Sequence, residues 1–300
     1  LSLPLPDPKT STTSIKDHLA LLLTTTIWAS TFINIKNVLM QVPPNTLAFL
    51  RFLVAGLVLG FYLLGRRQPF VKRQDWPLVA LTGLTGVTLY NFLQNQGLKS
   101  AGATDAAILA AMAPVFIALL AWLFLGEKVS RRQVGGIIMA FCGSAQVATK
   151  GSLDGLALNP ARLYGDLLVL LTGLSWAVYS ISLKRLLNRY QPVTVLTSST
   201  IAGTIFLFPL ALLEFPVNWS AINLSGWLSI LYLGLLASAL AYLIWNTVLT
   251  RVAAVTAGVY LYLLPVIAAV MAAVFLGETP GLYTIAGGII VLLGTYLAGK

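Results

Sequence analysis

The stretch TLYNFLQNQGL (residues 88–98) sets Asn91, Gln94, Asn95 and Gln96 within about two helical turns of a chain that is otherwise oily. Asn91, Gln94 and Asn95 are spaced i, i+3, i+4 and share one helix face, where Tyr90 aligns with Gln94. Lipid offers such amides no partners, so they imply either a polar stripe that hydrogen-bonds a solute in a water-filled cavity or bonds between neighbouring helices. The second use is worth roughly 0.6–2 kcal/mol per bond. Gln96 falls near the end of the segment, at the interface.

Arg51 is the only charge well inside an apolar stretch. A charge at that depth is costly unless it is paired or wetted. It can serve as the counter-charge for a substrate carboxylate, snorkel to headgroups, or bond helix-end carbonyls. Trp28 lies about ten residues into its apolar run, too deep for an interfacial belt. With Trp176, Tyr179 and Tyr260 it can wall a cavity around an aromatic or aliphatic solute, or pack against one.

Other chemistry has little to work with. His18 is the only histidine and Cys142 the only cysteine, so neither a metal site nor an intrachain disulfide is expected. The sequence has no Gly-x-x-x-x-Gly-Lys-Ser/Thr loop for nucleotide phosphates. No carboxylate sits well inside an apolar run; Glu127 and Glu278 end theirs, and Asp105 starts one, where it offsets a helix dipole. An enzyme would need a reactive cluster that this composition does not offer, and no cofactor is implied.

The elements that carry these residues follow from hydropathy. Of 300 residues, 58% are hydrophobic and 9% charged, against roughly a quarter charged in soluble domains. A helix needs about 20 residues to cross about 30 Å of hydrocarbon. The apolar runs predict spans at 18–37, 46–65, 76–97, 103–125, 131–149, 165–187, 193–213, 225–246, 254–276 and 281–299. The fold class is therefore all-α and polytopic in a membrane. Residues 1–17, rich in Pro, Ser and Thr, are expected to be a disordered N-terminus.

The net charge of +10 is not spread evenly. With the N-terminus inside, 14 of the 19 Lys and Arg fall on inner segments, among them Arg66, Arg67, Lys72, Arg73, Lys128, Arg131, Arg132, Lys184, Arg185 and Arg189. Positive loops stay inside, which predicts both termini in the cytoplasm of a plasma or inner membrane and removes any need for nucleic acid as a partner.

The chain also repeats itself. Residues 114–127 (PVFIALLAWLFLGE) match 265–278 (PVIAAVMAAVFLGE) at eight of fourteen positions, and Asn95 aligns with Asn246 at the same offset. Trp28 aligns with Trp176, Lys36 with Lys184, Pro44 with Pro192, and GGII recurs at 135 and 287. Each half holds five spans, an odd number, so the halves lie oppositely in the bilayer; the basic loops of the first half have counterparts without Lys or Arg in the second. Inverted repeats of this kind mark secondary transporters with a midplane site. The repeats run 18–149 and 165–300, with an outer linker at 150–164. Pro114 and Pro265, mates in the repeat, are expected mid-span, where proline permits a kink.

The early Trp and Lys of the first span, Pro44, Arg51 and the duplicated Pro-Val…Phe-Leu-Gly-Glu block resemble the EamA-type transporters of the drug/metabolite transporter superfamily, over residues 18–299. The resemblance implies ten helices in two inverted five-helix repeats around a central cavity, with the fifth and tenth packed outside. It implies alternating-access transport of small organic metabolites, with neutral or aromatic amino acids as the first expectation. Other metabolites or drugs such as nucleosides remain open, and so does a channel. The expected partners are a small-molecule substrate and the lipid bilayer, with the chain a monomer. The candidate substrate-binding residues are Trp28, Arg51, Tyr90, Asn91, Gln94, Asn95, Trp176, Tyr179, Asn246 and Tyr260.

Overall fold

The computed structural model describes residues 14–100, 109–149, 160–276 and 281–299. Asp105 and Glu278 lie outside the described residues, as does the side chain of Lys36. The described secondary structure is helical. Helix α1 spans Ile15–Val38 and starts on a capping box in which Ser14 and Asp17 bond each other's amides. Helix α2 (Pro44–Gly65) opens on the proline that suits a first turn. The third stretch is not one regular helix. Helix α3 (Trp76–Gly83) passes through a π-helical turn, π1 (Leu84–Leu89), into α4 (Tyr90–Ser100). Helices α5 (Ala113–Leu125) and α6 (Arg131–Thr149) follow.

The second half has the same irregularities. Helices α7 (Pro160–Leu187) and α8 (Pro192–Leu212) are continuous. Helix α9 (Leu224–Tyr232), capped by Asn223, runs through π2 (Leu233–Leu240) into α10 (Ala241–Leu249). Helix α11 (Ala254–Val259) makes a 3₁₀ turn at Tyr260–Tyr262 before α12 (Leu263–Leu276), and α13 (Leu282–Ala298) ends the chain. The two prolines expected to kink mid-span do something else. Pro114 sits in the first turn of α5, and Pro265 comes just after the 3₁₀ turn, so each restarts a helix after an irregular residue pair or triplet. The missing N–H is harmless there.

Among the described residues, six helical stretches are long and apolar enough to cross a membrane: Pro44–Gly65, Arg73–Gly97, Leu163–Leu187, Pro192–Leu212, Leu224–Leu249 and Ala254–Met271. Ala113–Leu125 and Leu282–Ala298 are shorter apolar helices. Large apolar side chains such as Phe61, Leu64, Trp122, Ile205, Val274 and Leu292 stand exposed on the outside, the surface that acyl chains cover.

Packing brings the halves together. Helix α2 lies on α8, α4 and α5 lie on α7, and α1 lies on α10 and α12. Helices α6 and α13 pack closely on each other and more lightly on α12, and a glycine of each GGII run that meets a glycine of the other helix explains the approach. A Cβ on Gly143 would stand 2.7 Å from the carbonyl oxygen of Gly287, and one on Gly136 would stand 2.7 Å from that of Gly294. Only glycine admits backbones that close.

Candidate functional site

Both π-helical turns face the centre, and their carbonyls are the anchor points. Widening a helix to i→i+5 bonding loosens the register of its carbonyls, and side chains from other helices donate to them. In π1, Thr85 O accepts from Ser175 Oγ at 2.8 Å and Gly86 O from Tyr242 Oη at 3.3 Å. In π2, Ala237 O accepts from Trp28 Nε1 at 3.1 Å, and the next residue, Ser238, accepts through its hydroxyl from Arg51 Nε at 2.9 Å.

Around these anchors sits one cluster of rings. Trp28 meets Trp176 edge-on at 5.3 Å between centroids, Tyr242 at 5.5 Å and Trp245 at 5.5 Å. Trp176 also meets Tyr90 at 5.4 Å and Tyr179 at 5.0 Å. Edge-to-face and tilted pairs at such separations are favourable, by about 0.5–1.5 kcal/mol each beyond burial. Helices α1, α4, α7 and α10 each contribute a ring, so the cluster joins both halves. Its deep members are sealed: Trp245 and Tyr179 are fully buried. Arg51 stands at its edge, with its guanidinium carbon 5.1 Å from the centroid of Phe52, which in turn packs on Tyr242 at 5.9 Å. Arg51 is only 9% exposed.

The cluster holds donors without acceptors. Trp176 Nε1, Trp245 Nε1 and Asn246 Nδ2 are buried with no hydrogen-bond partner among the described residues, while Asn246 Oδ1 accepts from Tyr179 Oη at 3.2 Å. Buried polar groups left unsatisfied cost about 1–3 kcal/mol each, so such an excess of donors suits an incoming acceptor.

Charged residues gather instead at the ends. At the end that carries the basic loops, Lys184 Nζ donates to Glu127 Oε1 at 2.7 Å and to Val252 O at 2.9 Å. The same carboxylate accepts the amides of Ala254 at 3.0 Å and Val255 at 3.2 Å, which caps α11 from another helix hairpin. Arg189 Nη1 and Tyr190 Oη donate to Asp75 at 2.8 and 2.7 Å. The Asp75 carboxylate raises Tyr190's pKa above the ordinary phenol value. Arg251 donates to Asp17 at 2.8 Å through Nη2. At the opposite end, Glu214 accepts the amides of Asn45 and Thr46 at 3.1 and 2.7 Å and so caps α2. Negative charge at a helix start is stabilising.

The sequence profile of the EamA-like transporter family matches residues 16–149 and 163–299. The chain belongs to the EamA-like transporter family. It is 35% identical to an uncharacterized transporter of Archaeoglobus fulgidus over 285 residues, which cover 94% of this chain and 96% of the relative. It is likewise 35% identical to a protein of Streptantibioticus cattleyicolor named a probable terminal-alkyne amino-acid exporter, over 94% of this chain and 92% of that one. A solved crystal structure shares the fold, with a TM-score of 0.82 at 23% identity, covering 94% of this chain and 98% of its own. Membership makes this a multi-pass membrane transporter.

Among the site residues expected from the sequence of this EamA-family chain, Trp28, Tyr90, Trp176, Tyr179 and Asn246 lie in the ring cluster or touch it, with Arg51 at its edge. Gln94 lies one turn beyond Tyr90, within its hydrogen-bonding reach, and both it and Asn95 are half-buried. Asn91 is buried, and its Nδ2 donates at 2.6 Å to Val87 O of its own helix, a carbonyl within π1. Tyr260 is elsewhere: its hydroxyl bonds His18 Nδ1, near the start of α1. Where the sequence places a polar stripe along a water-filled cavity, the described residues bring a cluster of rings together. The sequence does not single out Tyr242, Trp245 or Ser238; Ser238 is the one polar side chain in the apolar run of π2, Tyr242 and Trp245 follow that run, and only the repeat alignment of Asn246 points nearby.

Proposed function

We propose that this EamA-family transporter is a secondary carrier for small organic solutes that bear a carboxylate, neutral or aromatic amino acids foremost, and that it works by alternating access. One observation carries the reading. Arg51 is a buried cation beside aromatic rings whose hydrogen-bond partner is a neutral hydroxyl, with no carboxylate paired to it among the described residues. A solute carboxylate would take the free face of the guanidinium fork. Its side chain would lie against Trp28, Trp176 and Tyr242, and Asn246 Nδ2 and the two indole N–H groups would find acceptors. The naming of one 35% identical relative for amino-acid export supports the substrate class.

The moving parts in this reading are the two inverted five-helix repeats, 18–149 and 165–300. Several packing relations support it. Helix α4 packs on α7 as α10 packs on α1, and α5 packs on α7 as α12 packs on α1. Each half also has its π-helical turn at an equivalent place. The basic end is the cytoplasmic one, so the Glu127–Lys184, Asp75–Arg189 and Asp17–Arg251 contacts hold the carrier closed on that side. With Asp17, Asp75, Glu127 and Glu214 all engaged at ends, the cycle runs by exchange or down a solute gradient rather than on a proton carried at the centre.

Counterflow in proteoliposomes preloaded with amino acids and nucleosides, read by mass spectrometry, tests this. Exchange of neutral amino acids whose apparent affinity Arg51→Gln lowers is the expected result. Exchange of nucleosides that Arg51→Gln leaves unchanged would replace the substrate class, because a base can stack on these rings without a counter-charge. Unitary conductance in a bilayer would replace the carrier by a channel.

A further inference from the structure

A groove of about 830 Å³ lies away from the ring cluster, on the outer flank between α5 and α6. Val115, Leu119 and Trp122 of α5 form one wall and Val134, Ile138 and Phe141 of α6 the other. Lys128, in the loop between the helices, is the one charged residue among the described residues that line it, and it stands at the basic end. Arg131 and Arg132, at the start of α6, are exposed beside it. Glu127 is the acid of that loop, but its carboxylate is taken by Lys184 and by the amides of α11. A further cation, Arg185, reaches the last turn of α5, where its Nη2 donates to Phe124 O at 3.3 Å. The loop therefore presents positive charge that its own acid does not neutralise.

We propose that this groove holds an acyl chain of an anionic phospholipid, with the lipid phosphate on Lys128, Arg131 and Arg132. The occupant must be apolar along the groove and negative only at its basic mouth, and it must reach the site from the flank, where Leu119, Trp122, Leu123 and Ile138 are exposed to the bilayer. A soluble anion has no use for the walls, and a zwitterionic lipid gains little from three cations. Basic clusters next to membrane helices bind anionic headgroups by this complementarity.

Trp122 is a built-in reporter, because phospholipid brominated on its acyl chains quenches tryptophan on contact. The full-length protein is placed in phosphatidylcholine vesicles with a low fraction of brominated phosphatidylglycerol or of brominated phosphatidylcholine. The difference between the unaltered chain and Trp122→Phe isolates the groove signal. Brominated phosphatidylglycerol is expected to quench Trp122 more strongly, the triple change Lys128→Gln, Arg131→Gln, Arg132→Gln to abolish that preference, and rising salt to weaken it in the unaltered chain. Equal quenching by the two lipids in the unaltered chain overturns the proposal. So does a preference that neither salt nor the triple change reduces. Absence of quenching by either lipid, together with a dimer by light scattering, would assign the groove to a second copy instead.

Discussion

The guanidinium of Arg51 on α2 donates to the hydroxyl of Ser238 on π2 at 2.9 Å, one residue after the carbonyl to which Trp28 donates. A charge and an indole from two helices of the first half thus rest on adjacent residues of an irregular helix in the second. Arg51 meets a neutral partner and pairs with no carboxylate among the described residues, which is the feature that the proposed solute carboxylate would use.

That arrangement sets the first expectation. Arg51→Gln removes a charged hydrogen-bond donor worth about 1.5–3 kcal/mol to a bound carboxylate. The apparent affinity for an amino-acid substrate in counterflow should fall on the order of 10- to 100-fold. Arg51→Lys keeps the charge but loses the planar fork, and should recover only part of that loss. A substrate affinity equal to the unaltered protein's in Arg51→Gln would remove Arg51 from the site.

The close contact of Gly86 with Tyr179 gives the second. A Cβ at Gly86 would overlap the Tyr179 ring, and both positions are in the interior, where neighbours have little room to move. Gly86→Ala should cost about 1–3 kcal/mol by overpacking and lower the thermal midpoint of the detergent-solubilised protein. Adding Tyr179→Ala should cost less in the Gly86→Ala background than alone, since the two positions share one space. Strict additivity would show that the ring and the helix do not press on each other.

Much of the fold is legible in the sequence because hydropathy and duplication are strong signals. The helical stretches, the matching of Trp28 with Trp176 and the recurrence of GGII follow from them, and the structure turns the last two into a ring contact and a glycine seam between α6 and α13. The π-helical turns do not, since a run such as Leu233–Leu240 has the same hydropathy whether its hydrogen bonds span four residues or five. Asn91 illustrates the consequence. Its sequence position allows a solute or a neighbouring helix as partner, yet π1 frees the Val87 carbonyl and the amide turns back to its own helix. Glu127 is a similar case. Its place in the repeat suggests a turn or a cap, but the helix it caps begins 127 residues later, and no local pattern carries that information.

Glu127 leads to the third expectation. Its carboxylate serves Lys184 and two backbone amides at once, so charge and geometry are both needed. Glu127→Gln should loosen the basic end. In a Cys142→Ser background, a Val255→Cys reporter at the α11 start should react faster with an impermeant thiol reagent applied from that side. The charge exchange Glu127→Lys with Lys184→Glu should fail to restore slow labelling, because a lysine cannot accept from the α11 amides. Full restoration by the exchange would reduce the contact to a simple ion pair.

Asp17 supplies the last expectation, a dependence on pH. Burial pushes its carboxyl pKa up, but the Ser14 hydroxyl, Arg251 and the Ser14 amide outweigh that and hold it below the ordinary value. A carboxyl with a depressed folded-state pKa stabilises the fold at pH values above its unfolded pKa, about 3.9 for aspartate, and this contribution is lost as pH falls through the folded value. The Arg251 side chain is 47% exposed, so solvent and salt screen part of the attraction. Asp17→Asn should therefore lower the thermal midpoint near neutral pH, and the gap to the unaltered protein should narrow as pH drops below about 4. A gap that stays constant down to such acidity would mean that Asp17 acts through its helix-capping shape alone and not through its charge.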